Sequence, residues 1–172
     1  MNSDQSPPTA SATLTVRPSV PEDIPSLAPR LRKEDLESVL ASGSRSAEAS
    51  LTNGITYSDL CLTAIDEAGS PVLMFGTVPH PHDATVAHLW FLGSNDLDTY
   101  GSALIRECQR YLGIFHRKYP LLSCFVDHRA SVRGRWLHSC GFTITGTITG
   151  PEGHPFHETI RLRSDQCANR FH

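Results

Sequence analysis

Leu14-Thr15-Val16-Arg17 alternates apolar and polar positions, the period of a short strand, and Pro18 ends it. Pro21, Glu22 and Asp23 then read as a helix start, a proline in the first turn followed by two acids on the positive end of the helix dipole. Residues 33–40 and 46–52 keep a helical pattern, and Asn53-Gly54 is expected to stop the second piece. The period then changes to two. Residues 58–65 and 71–78 read as strands around an Asp66–Ser70 turn, a hairpin signature. Residues 79–83 (Pro-His-Pro-His-Asp) read as a loop and residues 85–93 as a central strand.

The strongest helical pattern follows. Leu97, Tyr100, Leu104, Cys108, Tyr111, Leu112 and Phe115 form one apolar stripe, with Asp96 expected to cap its start. Arg117 and Lys118 suit its carboxyl end, and Pro120 lies just beyond. Residues 121–126 read as a strand, Ser131–Ser139 as a short helix ended by Gly141, and residues 142–148 with 156–162 as a closing hairpin. The order is β-αα-ββ-β-α-β-α-ββ, which predicts an α/β (α+β) domain with a mixed sheet covered by helices. Residues 14–163 form that domain, residues 1–13 are expected to be a disordered leader, and residues 164–172 a frayed tail.

Composition narrows the class. With 172 residues, 39% hydrophobic and 19% charged, the chain suits one compact domain. A net charge of −3 gives no strong nucleic-acid signal. No apolar run predicts a membrane span, and the Ser/Pro/Thr-rich first residues resemble neither a signal nor a transit peptide. Five cysteines, an odd count with no C-x-x-C spacing, predict free thiols and a reducing compartment.

The element order, together with Trp136-Leu137-His138-Ser139-Cys140-Gly141-Phe142, resembles the GNAT acetyltransferase superfamily, in which a short helix ends in a Gly-Phe that starts the next strand. Five segments are similar to a narrower group, the internal virion protein A family of short-tailed bacteriophages (podoviruses). They are Leu31-Arg32-Lys33-Glu34-Asp35-Leu36, Val72-Leu73-Met74-Phe75-Gly76, Leu89-Trp90-Phe91-Leu92-Gly93-Ser94-Asn95-Asp96, Val126-Asp127-His128-Arg129 and Arg135-Trp136-Leu137 with Gly141-Phe142. The chain departs from that family at Ala130, where members commonly have Asn. The resemblance implies a GNAT-like scaffold in virion assembly, located in the virion and host cytoplasm, with other phage virion or assembly proteins as partners.

The wider resemblance also permits two checks. GNAT enzymes hold the acetyl-CoA pyrophosphate on a Gln/Arg-x-x-Gly-x-Gly/Ala turn, where glycines and exposed N–H groups at a helix start receive the anion. Anchored on Gly101, this chain has Asp96 at the basic position and Thr99 at the middle glycine, and Asp98 adds a second negative charge. That degenerate turn predicts that acetyl-CoA is not bound and that no cofactor is used. Many GNAT enzymes also place a general-acid tyrosine five residues before the Phe of the Gly-Phe turn, and here that place is Leu137, which donates no proton. No catalytic residue is therefore assigned.

Other constellations are weaker. His80, His82, Asp83 and His88 carry metal-ligating groups but lack a spaced second half, so no metal is expected. Arg129, Arg133 and Arg135 are the densest cationic stretch of the second half, and with Trp136 they are the candidate partner-binding residues, although a solvated helix face with Asp127 as its cap is the favoured reading of the arginines. The expectation is a non-enzymatic phage structural or assembly protein. The alternatives are an active N-acyltransferase using acetyl-CoA through atypical contacts, and a phage protein that binds a host target.

Overall fold

The computed structural model describes residues 12–164. The leader expected over residues 1–13 and the tail over residues 164–172 lie almost wholly outside them. Strand β1 spans Thr15–Pro18, and helices α1 (Asp23–Leu27), α2 (Lys33–Ala41) and α3 (Ala47–Tyr57) follow. Strands β2 (Leu60–Ile65), β3 (Pro71–His80) and β4 (Asp83–Gly93) come next, then a 3₁₀ segment over Asn95–Tyr100 and helix α4 (Gly101–Lys118). Strand β5 (Leu121–Asp127), helix α5 (Ser131–Ser139) and the hairpin of β6 (Thr143–Thr149) and β7 (Pro155–Leu162) complete the domain.

One seven-stranded sheet runs in the order β1-β2-β3-β4-β5-β7-β6, antiparallel except where β4 meets β5. Its pleat sends alternate side chains to two cores. Phe75, Leu89, Phe91, Leu122 and Cys124 pack with Leu112 and Phe115 of α4 and Leu137 of α5. Met74, Trp90 and Leu92 meet Leu27, Val39 and Leu51 from α1 to α3 on the other face. The β2–β3 turn is held as expected: Asp66 Oδ1 accepts from the N–H groups of Ala68 (2.9 Å) and Ser70 (2.8 Å), with Gly69 at φ +81°.

Three expectations are corrected. α3 does not stop at Asn53-Gly54 but runs on to Tyr57, because Gly54 serves close packing: a Cβ there would lie 2.4 Å from the Trp90 ring. Residues 79–83 are not a loop, since β3 and β4 extend to His80 and Asp83 around a tight turn. The long helix begins at Gly101, and Ser94, not Asp96, caps the 3₁₀ segment before it, its hydroxyl accepting from the Asp96 N–H at 3.2 Å.

Candidate active site

β4 and β5 pair only over Val86↔Leu121, Ala87↔Leu122 and His88↔Ser123. Beyond that point β4 stays with β3 as far as Gly93, and β5 stays with β7 as far as Asp127. The two strands part, opening a wedge in the middle of the sheet whose backbone edges face each other without pairing. Such edges suit an extended chain carrying amides, which can complete a ladder that the strands themselves leave open.

Arg133, reaching in from α5, occupies the wedge. Its guanidinium donates to the Phe91 carbonyl at 3.2 Å, lies 4.6 Å from the Phe91 ring centroid and pairs with Asp35 of α2. Asp35 is fully buried and also accepts from the Gly93 N–H at 2.7 Å and from Arg32 at 3.2 Å. One carboxylate thus meets two guanidiniums. Sequence reasoning placed Arg133 on a partner-binding surface with Arg129 and Arg135, and the structure corrects this: Arg133 is buried, 7% exposed. Arg129 is instead bound to Asp127 (2.6 Å), whose Oδ1 accepts from the Arg129 N–H at 3.0 Å. Asp127 closes that turn and not the helix, since α5 has no side-chain cap. Arg135 is exposed beside a cavity of about 480 Å³ between α5 and the β6–β7 hairpin. Trp136 turns inward, 4.8 Å from the Phe91 ring, its buried Nε1 without a partner.

On the α2–α3 face the wedge opens into a cleft of about 390 Å³ lined by Ser38, Asn53, Trp90, Cys124, Phe125 and Phe156 among others. His88 stands at its edge, on the last β4 residue that pairs with β5. Its Nδ1 is hydrogen-bonded to the Ser123 hydroxyl at 2.5 Å, which fixes the ring; in the tautomer whose Nδ1–H donates to Ser123, Nε2 holds the free lone pair that can accept a proton. Burial, followed by the electrostatic influence of the neighbouring His80, pushes this imidazole below its ordinary range, while Glu158 opposes the shift. A neutral imidazole on a cleft wall is equipped to take a proton from an amine. Cys124 is not equipped to act as a nucleophile, because burial pushes its thiol up to about 11. The sequence had offered His88 only as a metal ligand. The signal for its other role was a lone polar residue inside the apolar run of residues 85–93. Nothing in spacing announced the pairing of Asp35 with Arg133.

The turn after β4 carries the expected acids. Asp96 and Asp98 are exposed, as is Thr99, and Asp96 pairs with Arg30 at 3.2 Å. Burial, then Asp66, Asp96 and Glu67 together, pushes the Tyr100 phenol up, so the whole turn is negative. Leu97 is folded inward against Gly93, and Gly101 opens α4 with open space where a Cβ would stand. Leu137, at the place of the expected tyrosine, is 1% exposed and belongs to the core. His80 and His82 lie near each other, ring centroids 6.2 Å apart, but Asp83 is engaged by Thr85. Among the described residues no three His, Cys, Asp or Glu side chains are arranged to hold a metal, and no helix is long and apolar enough to cross a membrane.

No protein-family profile and no curated protein matches the chain. Solved structures do. A GCN5-related N-acetyltransferase from Kribbella flavida is 19% identical, with a TM-score of 0.65 over 88% of this chain and 98% of its own. AAC(6')-Ib, in complex with paromomycin and acetyl-CoA, is 16% identical, with a TM-score of 0.66 over 92% of this chain and 98% of its own. The ribosomal-protein-S5-alanine acetyltransferase of Vibrio fischeri is 11% identical, with a TM-score of 0.64 over 88% and 94%. These neighbours correct the expectation of a non-enzymatic phage assembly protein: they are acetyltransferases matched across nearly their whole length, and none points to a virion component. The fold of this chain is the GNAT acetyltransferase fold, a mixed seven-stranded sheet parted between its fourth and fifth strands.

Proposed function

We propose that the protein is an N-acyltransferase that moves an acyl group from acyl-CoA to an amine. The observation that carries this reading is the wedge between β4 and β5 with the neutral imidazole of His88 at its vertex. The unpaired strand edges fit the amide-bearing arm of the donor; the negative turn at Asp96 and Asp98 does not fit its diphosphate, so the arm supplies the binding. AAC(6')-Ib, of the same fold, has been solved with acetyl-CoA.

Bound acyl-CoA supplies an acyl thioester. His88 takes a proton from the acceptor's nitrogen, and Ser123 holds the ring in position to do so. A C–N bond forms as the C–S bond breaks, and the departing thiolate takes its proton from water or from the imidazolium, since Leu137 can give none.

The test is thiol release from acetyl-CoA in the presence of a panel of primary amines, with acetyl-CoA binding followed separately by calorimetry. Binding together with amine-dependent release that is lost in His88→Ala supports the reading. Absence of both at millimolar acetyl-CoA overturns it.

A further inference from the structure

The cleft on the α2–α3 face has a charge pattern of its own. None of its lining residues is an aspartate or glutamate, and its one cationic side chain is Arg133. Two donors on that wall lack partners: Arg133 Nε and the hydroxyl of Ser38, each on a side chain 7% exposed. Buried donors of this kind are ordinarily satisfied, and an unsatisfied pair lining one cleft marks a place where a ligand atom belongs. Arg133 shares the carboxylate of Asp35 with Arg32, and Asp98 is the other acid beside the two guanidiniums. The cleft walls are also aromatic, with Trp90, Phe125 and Phe156.

Building on the acyl-transfer reading, we infer that the acceptor is an amino acid with an apolar or aromatic side chain. Its carboxylate meets Arg133 and Ser38, its amine faces His88, and its side chain lies over Trp90 and Phe125. A carboxylate supplies both missing acceptors. His88 and Trp90, two residues apart on β4, line the cleft from one face of the strand, and Arg133 lines it from α5. A polyamine or other polycation finds no carboxylate lining this cleft and meets the guanidinium of Arg133.

The experiment needs no acyl donor. L-phenylalanine, phenethylamine and spermidine are titrated into the pure protein by calorimetry. L-phenylalanine is expected to bind at least tenfold more tightly than phenethylamine, which lacks only the carboxylate, and spermidine is expected to be the weakest. Ser38→Ala is expected to weaken L-phenylalanine several-fold and leave phenethylamine unchanged. Arg133→Leu abolishes the preference, and Ser38→Ala carries the test if that variant fails to fold. Equal affinity for L-phenylalanine and phenethylamine, tighter binding of spermidine, or no binding of L-phenylalanine at millimolar concentration overturns the inference. Binding of L-phenylalanine with no binding of acetyl-CoA keeps this inference and removes the acyl-transfer reading; the reverse pattern does the opposite.

Discussion

At the scale of single residues, His88 decides what the cleft can do. Its imidazole is half-buried against Ser123 and held below the ordinary value of 6.5 by burial and by His80, so the folded protein favours the neutral ring. The sign has two consequences. Activity that uses this base is present at neutral pH and falls as pH drops through the folded pKa, below 6.5. Stability follows in the same direction: between the folded and unfolded pKa values the unfolded chain binds more protons, so this group's contribution is lost as the solution is acidified. His88→Gln keeps a hydrogen bond to Ser123 available but removes the base. It is expected to lower kcat by about 10²- to 10⁴-fold while thermal stability stays near that of the parent. A kcat/KM profile with its acidic limb above 7, or a variant of unchanged kcat, removes His88 from the mechanism.

At the scale of elements, the clearest mismatch between pattern and structure lies in α3. Asn53-Gly54 has the local chemistry of a helix stop, yet the helix continues because Gly54 faces the Trp90 ring on β4. A tertiary contact has overridden the local signal. Gly54→Ala tests this directly. In an exposed helix interior the change favours the helix by up to about 1 kcal/mol, whereas here the added methyl overlaps the indole and is expected to destabilise by about 1–3 kcal/mol. Urea unfolding decides between the two signs, and a stabilised variant means that Trp90 yields freely. The Trp90 indole N–H is tied to Ser58 Oγ at 2.8 Å, which argues that it does not. Elsewhere periodicity sufficed. The stripe from Leu104 to Phe115 and the apolar run of residues 121–126 report directly on what is buried: β5 stands within a residue of its pattern, and α4 keeps the stripe although it begins at Gly101 and not after an Asp96 cap.

At the scale of the molecule, the order of strands and helices was legible because each element announces its own period, while the site was not, because its parts come from elements far apart in sequence. Asp35, His88 and Arg133 sit on α2, β4 and α5, and no spacing rule joins them. The acidic turn was legible, and its weight is electrostatic. Asp96 and Asp98 stand where proteins that grip a diphosphate at a helix start offer bare N–H groups, with Asp66 and Glu67 adding to the field. At about 8 Å in water, one carboxylate opposes a doubly charged diphosphate by roughly 1 kcal/mol, a factor of about five in affinity. Asp96→Asn with Asp98→Asn is therefore expected to tighten acetyl-CoA binding by about 25-fold at low salt. Release of Arg30 from Asp96 adds to the gain. The Debye length shrinks to about 8 Å at physiological ionic strength, so there the gain falls to a few-fold. Calorimetry at two salt concentrations reads both numbers. A gain that does not depend on salt means the acids act through turn geometry, and no gain at either salt means that the diphosphate lies away from this turn.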